Sequence, residues 1–351
     1  MSTDRSHSPS PNPGADASLA QWRAQALELE RAIARIVIGQ QRAIHLLTIA
    51  VFARGDVLLE GNVGVGKTVL LRSFARAIGG AYERIEGTVD LMPADLVYYT
   101  YVDERGNPRV APGPLLKHGE KLSIFFFNEV NRARPQLHSL LLRVMAERSI
   151  TAFNREYLFP HLQVVADRNR VEREETFELP AAARDRFLME IGIEAPSDSE
   201  LQRTLMFDPR FHDATALVEE LPAGLLPHSD LGRIAALIQR HVRATETLQS
   251  YAVNLCRATA APASLGIELD GVEMESLMQA GISPRGASML LRAARVAAWL
   301  DGRDVLVPED LHGVFFETVA HRIYFRPVYE LRRSELAPAL VRAILARVPV
   351  P

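Results

Sequence analysis

Residues 58–79 read LLEGNVGVGKTVLLRSFARAIG, and the fold turns on how this stretch is understood. A short apolar run of strand length meets Gly61-Asn62-Val63-Gly64-Val65-Gly66-Lys67-Thr68, after which apolar residues return at helical spacing from Val69 onward. The octet fits G-x-x-x-x-G-K-[ST]. Its glycines let the loop wrap so that successive N–H groups face a chain of phosphates, and the helix behind it adds the positive end of its dipole. Lys67 is placed to reach the β- and γ-phosphates, and the Thr68 hydroxyl to ligate Mg²⁺. Residues 61–69 are therefore the candidate nucleotide-binding segment, with ATP and Mg²⁺ as the expected ligands.

A second stretch, IFFFNEV at 124–130, has the unbroken apolar character of a strand buried on both faces, and it ends in polar residues. Ligands of parallel sheets bind at this carboxyl edge. Glu129 stands where a carboxylate can orient or deprotonate the attacking water. The position before it calls for an acid that holds the metal and its waters. Asn128 stands there instead, keeping the shape and losing the charge.

Composition narrows the classes. The chain has 351 residues, 48% of them hydrophobic, enough for two packed units. Lys+Arg 40 against Asp+Glu 43 gives a net charge of −3, which argues against general attraction to nucleic acid or anionic lipid. Lysine occurs only at positions 67, 117 and 121, although arginine is abundant, so Lys67 marks a place where a compact point charge is required. The single cysteine, Cys256, lies in a helical apolar stretch and reads as a small core residue. No run spans a bilayer and no signal peptide opens the chain, so a cytoplasmic setting is expected. The ten histidines show no metal-ligand spacing.

Along the chain, residues 1–18 are polar and proline-rich and are expected to be a disordered tail. Two amphipathic helices follow, broken at Ile38-Gly39-Gln40. Strands are expected at DVLLEG, AYERIEG, KLSIFFFNEV and LQVVADRN, alternating with helices, and this βαβα order implies a parallel sheet. Two hairpins interrupt it, one turning near Gly106 and Asn107, the other near Asn154 and Arg155. Beyond Pro196 only helical patterns continue.

An ordered set of segments resembles the MoxR family of AAA+ ATPases over about residues 25–325. It comprises VIGQ (37–40), VLLEGNVGVGKT (57–68), DLMPADL (90–96), GPLL (113–116), NEVNRA (128–133), ELPAAARDRF (178–187) and GISPRGASMLLRAARVAAWLDGRDVLVPEDL (281–311). The resemblance implies an α/β fold: an AAA+ P-loop parallel sheet with flanking helices at 19–196, followed by an all-α lid domain at 197–351. The hairpins would be the helix-2 insert and the pre-sensor-1 hairpin. Ile38, Gly39 and Gln40 would lie against the adenine. Asn169 matches the first sensor and Arg285 the second. Arg186 matches the arginine finger that reaches a neighbouring subunit, with Arg184 the less favoured candidate.

The chain departs from the family pattern at Asn128, where an aspartate is usual, and at Asp167 and Arg168, where uncharged residues are usual. Asp167, on the strand beside Asn128, is expected to supply the missing carboxylate to the metal. A simple ion pair with Arg168 or Arg170 is the alternative.

The resemblance further implies a ring, most simply a hexamer, a partner carrying a von Willebrand factor A domain, and a client enzyme matured with its metal or cofactor. Two other functions fit parts of the sequence. One is a nucleotide-gated scaffold with little hydrolysis, because Asn128 lacks charge. The other is a nucleic-acid motor, against which the charge balance and the absence of a basic, aromatic-laced stripe both speak.

Overall fold

The computed structural model describes residues 13–169 and 177–351. Helix α1 (Pro13–Ala34) leads through the Gly39 turn into α2 (Gln41–Phe52). Strand β1 (Val57–Glu60) runs into the glycine loop and α3 (Lys67–Ile78), then β2 (Ala81–Glu86) follows. The first hairpin is β3 (Tyr98–Val102) with β4 (Pro108–Pro112). Next come β5 (Leu122–Asn128), α4 (Pro135–Glu147), the second hairpin β6 (Ser149–Ala152) with β7 (Arg155–Leu158), β8 (Gln163–Arg168) and β9 (Met189–Gly192). The longer helices beyond are α5 (Ser199–Phe207), α6 (Leu231–His241), α7 (Glu246–Ala260), α8 (Pro284–Leu300), α9 (Pro308–Val319) and α10 (Arg333–Arg347).

The main sheet has the order β2-β5-β8-β1-β9 with every pairing parallel. Each strand therefore ends at the same edge. Every residue of β5 is buried, as its composition requires of a central strand covered on both faces. Alternation divides its side chains: Ile124 and Phe126 join one hydrophobic cluster, Phe125 and Phe127 the other.

The first cluster is continuous from α1 and α2 through one face of the sheet into the lid helices. Trp22 meets Phe52 edge-on at 6.4 Å between ring centroids, and Phe52 meets Trp299 at 4.8 Å. The Trp299 indole N–H also donates to the Leu19 carbonyl at 3.3 Å. Helix α1 is thus a strut between sheet and lid, and each aromatic pair adds to burial a directional ring contact. Cys256 packs half-buried on α7, where burial pushes its thiol up to about 11, as suits a core residue.

Four expectations need amending. The region expected as a tail, 1–18, overlaps α1, which begins at Pro13; residues 1–12 lie outside the described residues. The strand β9 carries too few residues to show a period in the sequence, yet it closes one side of the sheet. The lid is helical but includes a short antiparallel ladder of β10 (Met278–Ala280) and β11 (Tyr324–Phe325). The second hairpin turns one residue earlier than expected, at Phe153 and Asn154, both with positive φ (51° and 57°). That is the two-residue turn whose twist matches its strands, with phenylalanine in a conformation costly for a bulky side chain. The Phe153 ring rests on Tyr98 of the first hairpin, 5.3 Å between centroids, so the two hairpins touch.

Candidate active site

Because the strands are parallel, the segments flagged in the sequence converge on one edge of the sheet. The glycine loop leaves β1 there. At its end Gly66 caps α3 with φ 90°, a left-handed conformation that a side chain would strain, and the space above it is open. The α3 N-terminus and the loop amides therefore face an unobstructed cradle, as phosphate binding requires.

Lys67 is buried beneath this loop. Its ammonium donates to the Gly61 carbonyl at 2.9 Å and lies 2.6 Å from Asp167 Oδ2. The other Asp167 oxygen accepts the Glu129 backbone N–H at 2.5 Å. Burial raises the Asp167 pKa, and the Lys67 pairing acts against that rise. Asp167 thus ties Lys67 to the Glu129 backbone, a pairing that the expectation of a metal ligand did not include. Arg168, one of the two arginines of the alternative pairing, goes instead to Glu190 at 2.6 Å and Glu60 at 3.5 Å; Arg170 lies outside the described residues.

Asn128 is buried at the tip of β5, and its amide N–H donates to Glu86 at the tip of β2. Glu129 follows with φ 53°, its carboxylate 2.9 Å from the Arg132 guanidinium. Asn169, just past β8 at the same edge, is buried, and its amide oxygen accepts no hydrogen bond among the described residues. Thr68, Asn128, Glu129 and Asn169 thus form an oxygen-rich set of the kind a hard cation and a reacting water need. The chemistry of the set fits Mg²⁺ brought by a nucleotide.

The helix break forms the side wall. Gln40 is buried and donates to the Glu194 carbonyl at 2.5 Å, while Gly39, with φ 77°, packs under Pro196. Together with Ala43, Gly192 and Ala195 these residues line a cavity of about 270 Å³. Gly39 and Gln40, two of the three residues expected to contact adenine, line this cavity; Ile38 is next to them in the turn.

Three arginines divide their tasks. Arg285, in the first turn of α8, lies 3.7 Å from Asp185. Arg184 is turned into its own subunit, its guanidinium 5.4 Å from the Tyr324 ring centroid, and burial and neighbouring Arg333 lower its pKa. The Arg186 side chain makes no hydrogen bond or ion pair among the described residues, and the backbone carrying it is held firmly.

The holder is Arg322, which no motif marks. This fully buried guanidinium donates to the carbonyls of Asp185 (3.2 Å), Phe187 and Leu188 (3.2 Å) and to Asp185 Oδ1 (3.2 Å). Burial pushes it down to about 10, against the opposing pull of Asp185. Asp185 also accepts from the Ser283 hydroxyl at 2.8 Å, the residue that caps α8. One acid therefore links the finger segment to the helix carrying Arg285. Glu86 and Arg322 belong to none of the quoted segments, and Asp185, though inside ELPAAARDRF, carries no expected role; each acquires its role by contact.

A parallel sheet in this order, a glycine cradle with a buried lysine, and a helical lid packed on the sheet define an ATPase of the AAA class. The family "ATPase family associated with various cellular activities (AAA)" matches residues 56–189, and "AAA lid domain" matches 274–344. The chain is 62% identical to "Protein MoxR" of Methylorubrum extorquens over 336 residues, 96% of this chain and 98% of that one. It is 31% identical to "Chaperone MoxR1" of Mycobacterium tuberculosis, over 99% of this chain and 89% of that protein. A crystal structure of a protein from Cytophaga hutchinsonii superposes with a TM-score of 0.84 at 28% identity, covering 97% of this chain and 98% of that one. By this likeness along nearly its whole length, the chain belongs to the MoxR family of AAA+ ATPases. No described helix is long and apolar enough to cross a membrane.

Proposed function

We propose that this protein hydrolyses ATP in a ring of identical subunits and uses the resulting change in core–lid geometry to remodel a client protein. The observation that carries the reading is Arg186: a guanidinium with no hydrogen bond or ion pair among the described residues, on a segment clamped by Arg322. A charged fork left unpaired on a rigid base suits phosphate oxygens presented by a neighbouring subunit. Rings are the general habit of AAA proteins; six subunits is the simplest closure.

In the proposed reaction Lys67 leaves Gly61 for the phosphates, and the loop amides hold the β- and γ-groups. Mg²⁺, bound with the nucleotide, would neutralise charge developing on the phosphoryl oxygens. Glu129, released from Arg132, takes a proton from the water as its oxygen bonds to the γ-phosphorus. The bond from that phosphorus to the bridging oxygen breaks, and ADP keeps the electron pair. Asn169 orients the water, and Arg285 carries the loss of the γ-phosphate to the lid through α8. The joined hairpins, with Tyr98, Tyr99, Tyr101 and Phe153 exposed, are the surface offered to the client. By likeness to the chaperone relative, that client is a protein, and an enzyme awaiting its metal or cofactor, delivered with a von Willebrand factor A partner, suits the family.

Mixed subunits test the sharing of sites. Arg186→Ala and Glu129→Gln should each bind ATP normally and each lose turnover by about 10³ or more. Mixed together, they should recover part of it, because some interfaces then join an intact Glu129 to an intact Arg186. Should no mixture recover activity, the shared site is refuted. A native protein turning over no faster than either variant would favour the scaffold reading, in which Asn128 limits hydrolysis.

A further inference from the structure

Strands β2 and β5 are in register with Glu86 opposite Asn128. The ladder continues one step further, since the Gly87 N–H donates to the Asn128 carbonyl at 2.7 Å. At Gly87 a Cβ would lie 2.2 Å from the Glu129 carbonyl oxygen, so only glycine permits this approach. The two strand tips are locked together at the active edge. Across them the Asn128 carboxamide donates to Glu86 Oε1, and Glu86 Oε2 is held 2.6 Å from the Arg84 guanidinium. Arg84 is itself seated over the Phe126 ring at 5.9 Å.

A carboxamide can present either its oxygen or its NH₂ to a neighbour. An ionised carboxylate accepts only, so Glu86 draws the NH₂ of Asn128 to itself and leaves the amide oxygen for the opposite side. That oxygen accepts no hydrogen bond among the described residues. We propose that Glu86 is a positioning residue of the metal site: it turns the Asn128 oxygen outward as a ligand for Mg²⁺ or its water, and polarises the amide so that the oxygen gains negative character. The arrangement splits the work of one aspartate between two residues. Asn128 gives the oxygen, and Glu86 gives the charge, one layer further out. Partners of this kind orient the ligands they touch and tune them. The proposal rests on the nucleotide reading above, and it extends that reading to the means by which an uncharged residue can serve.

The test exchanges the two functional groups. A fluorescent ATP analogue is titrated with the full-length protein, in EDTA and across a Mg²⁺ series. Glu86→Gln places an amide opposite an amide, so the orientation of Asn128 is no longer dictated. Its affinity in EDTA should match the native value, while the Mg²⁺ concentration that half-restores tight binding should rise about tenfold or more. Asn128→Asp alone sets two carboxylates in contact, so its Mg²⁺ response should become dependent on pH as one of them takes up a proton. The double variant Glu86→Gln/Asn128→Asp restores one acid and one amide, with polarity reversed, and should return the Mg²⁺ midpoint to within about threefold of native.

A Glu86→Gln protein that keeps native EDTA affinity and a native Mg²⁺ midpoint would overturn the proposal. A double variant left as impaired as Glu86→Gln would overturn it too, by making Glu86 itself the ligand. If the native protein bound no analogue with or without Mg²⁺, the nucleotide reading would fall first and this proposal with it.

Discussion

Lys67 and Asp167 show how one site residue depends on another for a reason unrelated to chemistry. The ammonium lies 2.6 Å from a fully buried carboxylate, so removing Lys67 strands a charge in the interior. Lys67→Ala should therefore lower stability by about 3 kcal/mol or more, read as the midpoint of urea unfolding, besides abolishing ATP binding. Lys67→Ala/Asp167→Asn should recover most of that stability and none of the binding. A double variant as unstable as the single one would show that the ion pair is not the cause. The glycine octet was legible as a phosphate cradle because its consecutive residues do the binding. The partner of Lys67 was not, because nothing in a strand ending VVADRN distinguishes a metal ligand from a tether.

Among the elements, α8 and the 3₁₀ turn Ala320–Arg322 act as two halves of one clasp on the segment that carries Arg186. Ser283 and Arg285 reach Asp185 from α8, and Arg322 spans the backbone from the turn. Arg322→Leu should cost on the order of 3–5 kcal/mol, since several buried carbonyls and Asp185 lose their donor together. Arg285→Ala, exposed and at 3.7 Å, should stay within about 0.5 kcal/mol of native stability yet cut ATP turnover sharply. Chemical unfolding and steady-state ATPase rates on both proteins separate a clasp from a sensor; equal loss of stability would merge the two roles. The helices were readable from their 3.6-residue period. The clasp was not, since Arg322 and Asp185 are 137 residues apart and share no pattern.

Across the whole molecule, core and lid meet in a buried seam that titrates. His321 is fully buried against the Phe187 carbonyl, and burial, reinforced by Arg322, holds its pKa well below the usual 6.5. Folded protein thus keeps this ring neutral while the unfolded chain would protonate it. The unfolded state binds more protons below about pH 6.5, so stability is full above that pH and falls as pH drops through and below it. The slope from this one group approaches 1.4 kcal/mol per pH unit. Urea midpoints between pH 8 and pH 5 on native and His321→Gln proteins should show a weaker acid loss in the variant; parallel curves would place the titrating group elsewhere. The sequence alone pointed to the class of fold, to the phosphate loop and Glu129 as candidates, and to four of the five strands of the main sheet in their chain order. Those features are local: periodicity, strand burial and consecutive loop amides are each written within a few residues. Tertiary structure decided what Asp167 holds, which arginine is turned inward, where β9 closes the sheet, and that Glu86 faces Asn128 from 42 residues away. Such pairings depend on which strand tips the parallel sheet brings to one edge, and chain order does not record that neighbourhood.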